Sequence, residues 1–152
     1  MSTEPQALAA SPVRTPWHVW IVGVLALLWN AIGAFDYVMT QTKNPEYMAA
    51  FTQQQLDYFY GFPAWVVAAW ALAVWGGVLG AVLLLMRRRL AVPVFLVSLI
   101  AMVVTTVHNF LLSNGLEIFS DTASRIFTAV IFVVAVALYL YAKSLADKGV
   151  LR

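Results

Sequence analysis

Asp36 and His108 are the side chains in this sequence whose chemistry contrasts most with their surroundings. Residues 29–40 read WNAIGAFDYVMT and residues 105–109 read TTVHN, each toward the end of a long apolar run. A carboxylate and an imidazole at one depth in an apolar medium could exchange a proton near neutral pH or hydrogen-bond a polar solute. Asn30 and Asn109 add amides, Thr105 a hydroxyl, and Trp29 and Tyr37 aromatic faces. Together these form a candidate site for solute binding or proton coupling. A plainer reading is that the same groups tie helices together or reach interfacial water.

What must position them is set by composition. The chain has 152 residues, 62% hydrophobic and 11% charged, with a mean hydropathy of +0.83. Soluble domains carry about 25% charged residues, so a chain this apolar is expected to have the lipid bilayer as its solvent. The net charge is +2, and no stripe of interleaved basic and aromatic residues suggests a nucleic-acid partner. There are no cysteines, which excludes disulfides, thiolate metal sites and a cysteine nucleophile. The sequence has no H-E-x-x-H, no G-x-S-x-G, no Gly-rich phosphate loop and no carboxylate cluster with metal spacing. His18 and His108 fall at opposite ends of their runs, about 25 Å apart in depth at 1.5 Å per residue, too far to share a haem iron. No enzyme, metal site or cofactor is therefore expected.

A helical span needs about 20 mostly apolar residues. Four segments qualify, at about 17–39, 63–86, 90–112 and 123–142. They are continuous runs without strand alternation, so an all-α bundle of four transmembrane helices is expected over residues 17–142. The first run is longer than a signal-peptide core and reads as a true span. Residues 1–16 read as a disordered cytoplasmic tail and 143–152 as a cytoplasmic C-terminal tail. Arg14, Arg87, Arg88, Arg89, Lys143, Lys148 and Arg152 fall on one side of such a chain, and Lys43 and Arg125 on the other. The positive-inside rule then places both termini in the cytoplasm. The first and third spans run in the same direction, which puts Asp36 and His108 at nearly equal depth.

The loop after the first span carries helix signals. Asn44-Pro45-Glu46 supplies an N-cap candidate, a proline at the first helical position and an acid in the first turn. Thr52-x-x-Gln55 predicts a capping box. The surrounding Tyr47, Phe51, Tyr58, Phe59, Tyr60 and Phe62 suit an aromatic interfacial layer, or more sharply a lid over a site. Trp17, Trp20 and Trp65 lie near span ends, as tryptophans do.

Helices in lipid associate through small residues that allow close approach. Ala69, Ala73, Gly76 and Gly80 form one helical stripe in the second span. Gly23, Ala26, Asn30, Gly33 and Tyr37 form another in the first. The two stripes are expected to meet each other or a second copy, with Gly23, Gly33, Ala69, Ala73, Gly76 and Gly80 as packing residues. On this view Asn30 holds a helix–helix contact, and Asp36, about 120° around the helix from it, is the better functional candidate.

Trp29-Asn30, Gly33, Asp36-Tyr37 and Thr40, followed by the Tyr/Phe-rich loop and Phe62-Pro63-Ala64-Trp65, carry a resemblance. The pattern resembles a group of short four-span bacterial inner-membrane proteins of uncharacterised function that bear a sugar-transporter label. The resemblance implies a multi-pass inner-membrane location and transport of a small polar solute. Four helices enclose little volume, so transport would require a homo-oligomer. The alternative is a non-catalytic accessory or structural subunit that binds a membrane-protein partner through its small-residue faces.

Overall fold

The computed structural model describes residues 13–152. The tail expected over residues 1–16 therefore lies mostly outside the described residues. Thr15 and Pro16 lead directly into α1 (Trp17–Gln41). Two short helices follow, α2 (Pro45–Met48) and α3 (Gln53–Tyr60), and then α4 (Ala64–Leu85). Next comes α5 (Ala91–Val107), which runs on as a π-helical turn, His108–Leu112. The short α6 (Gly115–Ile118) and the long α7 (Thr122–Asp147) complete the chain. Among the described residues the fold is all helical.

Four of these helical segments are long and apolar enough to cross a membrane: α1 with 25 residues, α4 with 22, α5 with its π turn with 22, and α7 with 26. At 1.5 Å per residue the shortest measures about 33 Å, enough for a hydrocarbon core of about 30 Å. The helix starts follow their local chemistry. Pro63 precedes α4, where its fixed φ and missing N–H are tolerated. Asn44 Oδ1 accepts from the Tyr47 amide at 3.1 Å with Pro45 at the first position of α2. Thr52 and Gln55 close the capping box of α3 through bonds of 3.2 and 3.1 Å. Asp121 caps α7 by accepting from the Ser124 amide at 2.9 Å. That amide, together with the Ser124 hydroxyl, holds the Asp121 carboxyl below the ordinary carboxylate range.

The packing differs from the expected meeting of two stripes. α4 lies between α1 and α5 and uses a separate face for each. Its Gly76 and Gly80 face α5, where a Cβ on Gly76 would come 3.2 Å from Ser98 Cβ and one on Gly80 would come 2.6 Å from the Phe95 ring. The Ser98 hydroxyl, which donates to the Ala73 carbonyl at 2.5 Å, reinforces this seam. Ala69 is half-buried. The α1 stripe packs instead on the neighbouring face of α4. Gly23 receives Leu85, a Cβ on Gly33 would come 3.7 Å from Val74, and Asn30 lies over Gly77. Gly77 is one residue, about 100°, around from Gly76, so a single stripe could not have served both neighbours.

The tightest core lies at the arginine-bearing end. Val19, Leu84, Phe95, Ala142, Leu145 and Leu151 are buried there in one cluster. α7 continues beyond Ala142 to Asp147, and the chain then turns back through Gly149 at φ +77°. Val150 and Leu151 are buried, and Arg152 pairs by backbone with the α4–α5 turn. The segment expected as a C-terminal tail is thus part of the bundle. Toward the other end α7 turns large apolar side chains outward: Ile126 and Phe127 are each 59% exposed and Val133 is 65% exposed. Lipid tails are as apolar as leucine, so an outward face of this kind is compatible with a bilayer.

The two α4 faces predict a contrast. Gly80→Ala forces its methyl into the buried Phe95 ring and should cost about 1–3 kcal/mol, as overpacking does. Gly33→Ala meets Val74 only at ordinary contact distance and should be neutral or slightly stabilising. Thermal unfolding of both variants in detergent checks this.

Candidate functional site

Beyond the C-terminal ends of α1 and α5, the short helices α2, α3 and α6 form a cap, and the candidate residues divide between two parts of it. Asp36, in the penultimate turn of α1, accepts a hydrogen bond from the Tyr47 hydroxyl of α2 at 2.5 Å. Phe35 packs edge-on against the same Tyr47 ring, with centroids 5.7 Å apart. Burial first, and the Asp36 carboxylate second, push the Tyr47 phenol up to about 12. Asp36 therefore serves to fasten α2 onto α1.

His108 opens the π-helical turn at the end of α5 and is 7% exposed. Its Nδ1 lies 3.2 Å from Asn109 Oδ1. An amide oxygen only accepts, so Nδ1 is the donor in this contact. The imidazole is set edge-to-face against Phe62 and Trp65, at centroid distances of 5.6 and 5.4 Å. Asn109 Oδ1 also accepts from the Tyr58 hydroxyl of α3 at 3.0 Å. Tyr58 lies 2.8 Å from Ser113 Oγ, which reaches the freed carbonyls of His108 and Asn109 at 2.9 and 3.1 Å. A π turn leaves such carbonyls without their usual i+4 donors, and Ser113 fills that role. Burial raises the Tyr58 phenol above its ordinary value, with the Ser113 bond opposing it.

Equal depth leaves open whether Asp36 and His108 interact, and in the structure they bond to different partners. α4 stands between their helices, and each residue has its own partner from the cap. A run of rings connects the two halves: Tyr47 to Phe51 at 6.2 Å, Phe51 to Phe59 at 5.4 Å, Phe59 to Phe62 at 6.1 Å, and Phe62 to His108. Phe119, just after α6, packs on Phe59 and Tyr58 at 5.5 and 5.8 Å. The aromatic loop is thus a continuous layer over the bundle end.

The remaining candidates have structural partners. The Asn30 amide donates to the Ala26 carbonyl at 2.8 Å within α1. Trp29 faces Phe127 of α7 at 6.4 Å, and Tyr37 meets Trp70 of α4 edge-on at 4.9 Å. Thr105, like Thr106, donates to the Met102 carbonyl at 2.8 Å. Tyr47, Tyr58 and Ser113 become site residues only in three dimensions. In sequence Tyr47 and Tyr58 read only as members of the aromatic loop, and Ser113 carries no signal. Gly115 is the other such residue: its backbone lies so close to Asn109 O and the Tyr58 hydroxyl that a Cβ has no room.

Four apolar helices of spanning length with outward apolar faces make this the architecture of a multi-pass membrane protein. No known family model, curated protein or solved structure matches the chain.

Two outcomes follow for the cap. Tyr58→Phe should cost about 1 kcal/mol, as loss of one hydrogen-bonding hydroxyl does, and Gly115→Ala should cost more. Hydrogen exchange should then accelerate across residues 108–113. For Tyr47 the folded value lies above the ordinary 10.0, so its contribution to stability is complete below pH 10 and is lost as pH rises toward about 12. The phenolate absorbance difference between wild type and Tyr47→Phe should titrate near 12. In an Asp36→Asn background it should fall but stay above 10, because burial is the larger cause.

Proposed function

We propose that the protein is a non-catalytic multi-pass membrane subunit that engages a partner through its aromatic cap, rather than carrying a polar solute through its own bundle. The observation that supports this most is where the polar side chains inside the helices bond. Asn30, Thr105 and Thr106 bond to carbonyls of their own helices, and Ser98 bonds across to Ala73. The first three close within their own helix, leaving no group turned toward a solute, and the Ser98 bond ties α5 to α4, which is how polar groups contribute to association in lipid. The groups that do gather, Tyr58, His108, Asn109 and Ser113, fasten α3 to the end of α5 under the cap. Trp65 beside them is 50% exposed and offers the rigid aromatic contact area typical of interface anchors. The Lys/Arg asymmetry supports cytoplasmic termini and an external cap, as in a bacterial inner-membrane protein.

A second reading is transport of a small polar solute, sugar-like by resemblance, by an assembly of copies. The π-helical turn bearing His108 and Asn109 favours it, since such turns recur at functional sites. Proteoliposome uptake of a labelled sugar panel, with and without an inward proton gradient, separates the two. The subunit reading predicts no saturable uptake from folded protein. It also predicts one discrete adduct in native membranes from a photo-crosslinking residue at Trp65. Saturable uptake that is lost in His108→Ala and Asn109→Ala would overturn it.

A further inference from the structure

At the end of the bundle opposite the cap, the α4–α5 turn carries Arg87, Arg88 and Arg89. The turn is held rigidly. Arg87 takes a left-handed φ of +56°, and its carbonyl accepts from the Arg152 amide at 2.8 Å, while the Arg89 amide donates to the Arg152 carbonyl at 2.8 Å. The Arg87 guanidinium is committed inward, donating to Thr15 Oγ1 at 3.0 Å and lying 5.9 Å from the Trp20 ring centre. Arg88 and Arg89 are exposed, each with a planar fork of donors suited to phosphate. This end gathers seven of the nine Lys and Arg residues (all but Lys43 and Arg125) and, among the described residues, one acid, Asp147.

Directly beneath the turn, starting at Leu90, a groove of about 590 Å³ runs between α4 and α5. Leu72, Trp75, Leu79, Val94 and Val97 form its sides, and Gly76, which lacks a side chain, is part of its floor. On α4 it extends about 12 Å, from Leu79 to Ala71, across the middle of that helix. A free anion would use only the arginines, and a neutral lipid only the groove. A molecule with an acyl chain joined to an anionic phosphate matches both.

We propose that the α4–α5 groove seats one acyl chain of an anionic phospholipid whose phosphate is bound by Arg88 and Arg89. The site is independent of what the cap does. Arginines on a turn between helices are suited to this recognition, and a turn whose backbone is tied down loses little freedom on binding.

The test uses the full chain, delipidated in detergent, with binding of phosphatidylglycerol and phosphatidylcholine of identical acyl chains followed by native mass spectrometry. Phosphatidylglycerol should bind at least tenfold more tightly. Arg88→Gln/Arg89→Gln should remove that preference, while Arg125→Gln at the opposite end leaves it unchanged. Val97→Trp, on an exposed groove wall, should weaken phosphatidylglycerol binding at least fivefold with the arginines intact. If the double arginine variant does not fold, the single variants should each reduce the preference severalfold. Equal binding of the two lipids, a preference surviving the arginine changes, or indifference to Val97→Trp would overturn the proposal. So would full displacement of the lipid by an equal concentration of inorganic phosphate.

Discussion

The structure depends on how closely the backbone of α4 approaches its two neighbours. Between helices in lipid there is no hydrophobic gain from association, so contact must come from van der Waals packing and a few hydrogen bonds. Gly76 and Gly80 let Ser98 and Phe95 of α5 come against the α4 backbone, and Gly77 admits Asn30 of α1. The two faces lie side by side on one helix. That places α4 in the middle of the arrangement and keeps α1 and α5 on different sides of it. α7 packs against α5 and meets α1 through longer side chains, such as Tyr141 on His18 and Phe127 on Trp29.

This placement divides the polar chemistry. Asp36 and His108 emerge at the same end of the bundle on helices that α4 separates, so each is taken up by a different short helix of the cap. Tyr47 binds the first, while Asn109 and the Tyr58 hydroxyl organise the second. The aromatic layer then joins the two into one outer surface. At the opposite end the cationic turn and the returning C-terminal segment close the core. The molecule therefore has two chemically distinct ends, one aromatic and weakly acidic, the other strongly cationic.

Much of this is readable from the residues alone. The four spans follow from apolar length, and α2 and α3 follow from the Asn44-Pro45 and Thr52-x-x-Gln55 signals. The choice of neighbours does not. GxxxG spacing says that a helix face is flat but not which helix will lie on it, and Gly77 only acquires a role once Asn30 sits over it. Equal depth suggested an Asp36–His108 pair, because depth along an axis is legible in sequence while the angular order of helices is not. The π turn is likewise silent in sequence. Its stability rests on Ser113, just past the turn, and on Tyr58 of α3. The apolar run ends near Ala142, yet Leu145, Val150 and Leu151 beyond it join the core, which apolar length does not show.

The direct measurement of α4's central place uses the absence of cysteine from the chain. A Cβ at Gly76 lies 3.2 Å from Ser98 Cβ, close to the roughly 3.5–4.5 Å span of a disulfide. Gly76→Cys/Ser98→Cys, oxidised in membranes, should form a disulfide within one chain and migrate as a monomer. A disulfide-linked dimer in its place would show that the glycine face meets a second copy, and would contradict this account of the fold.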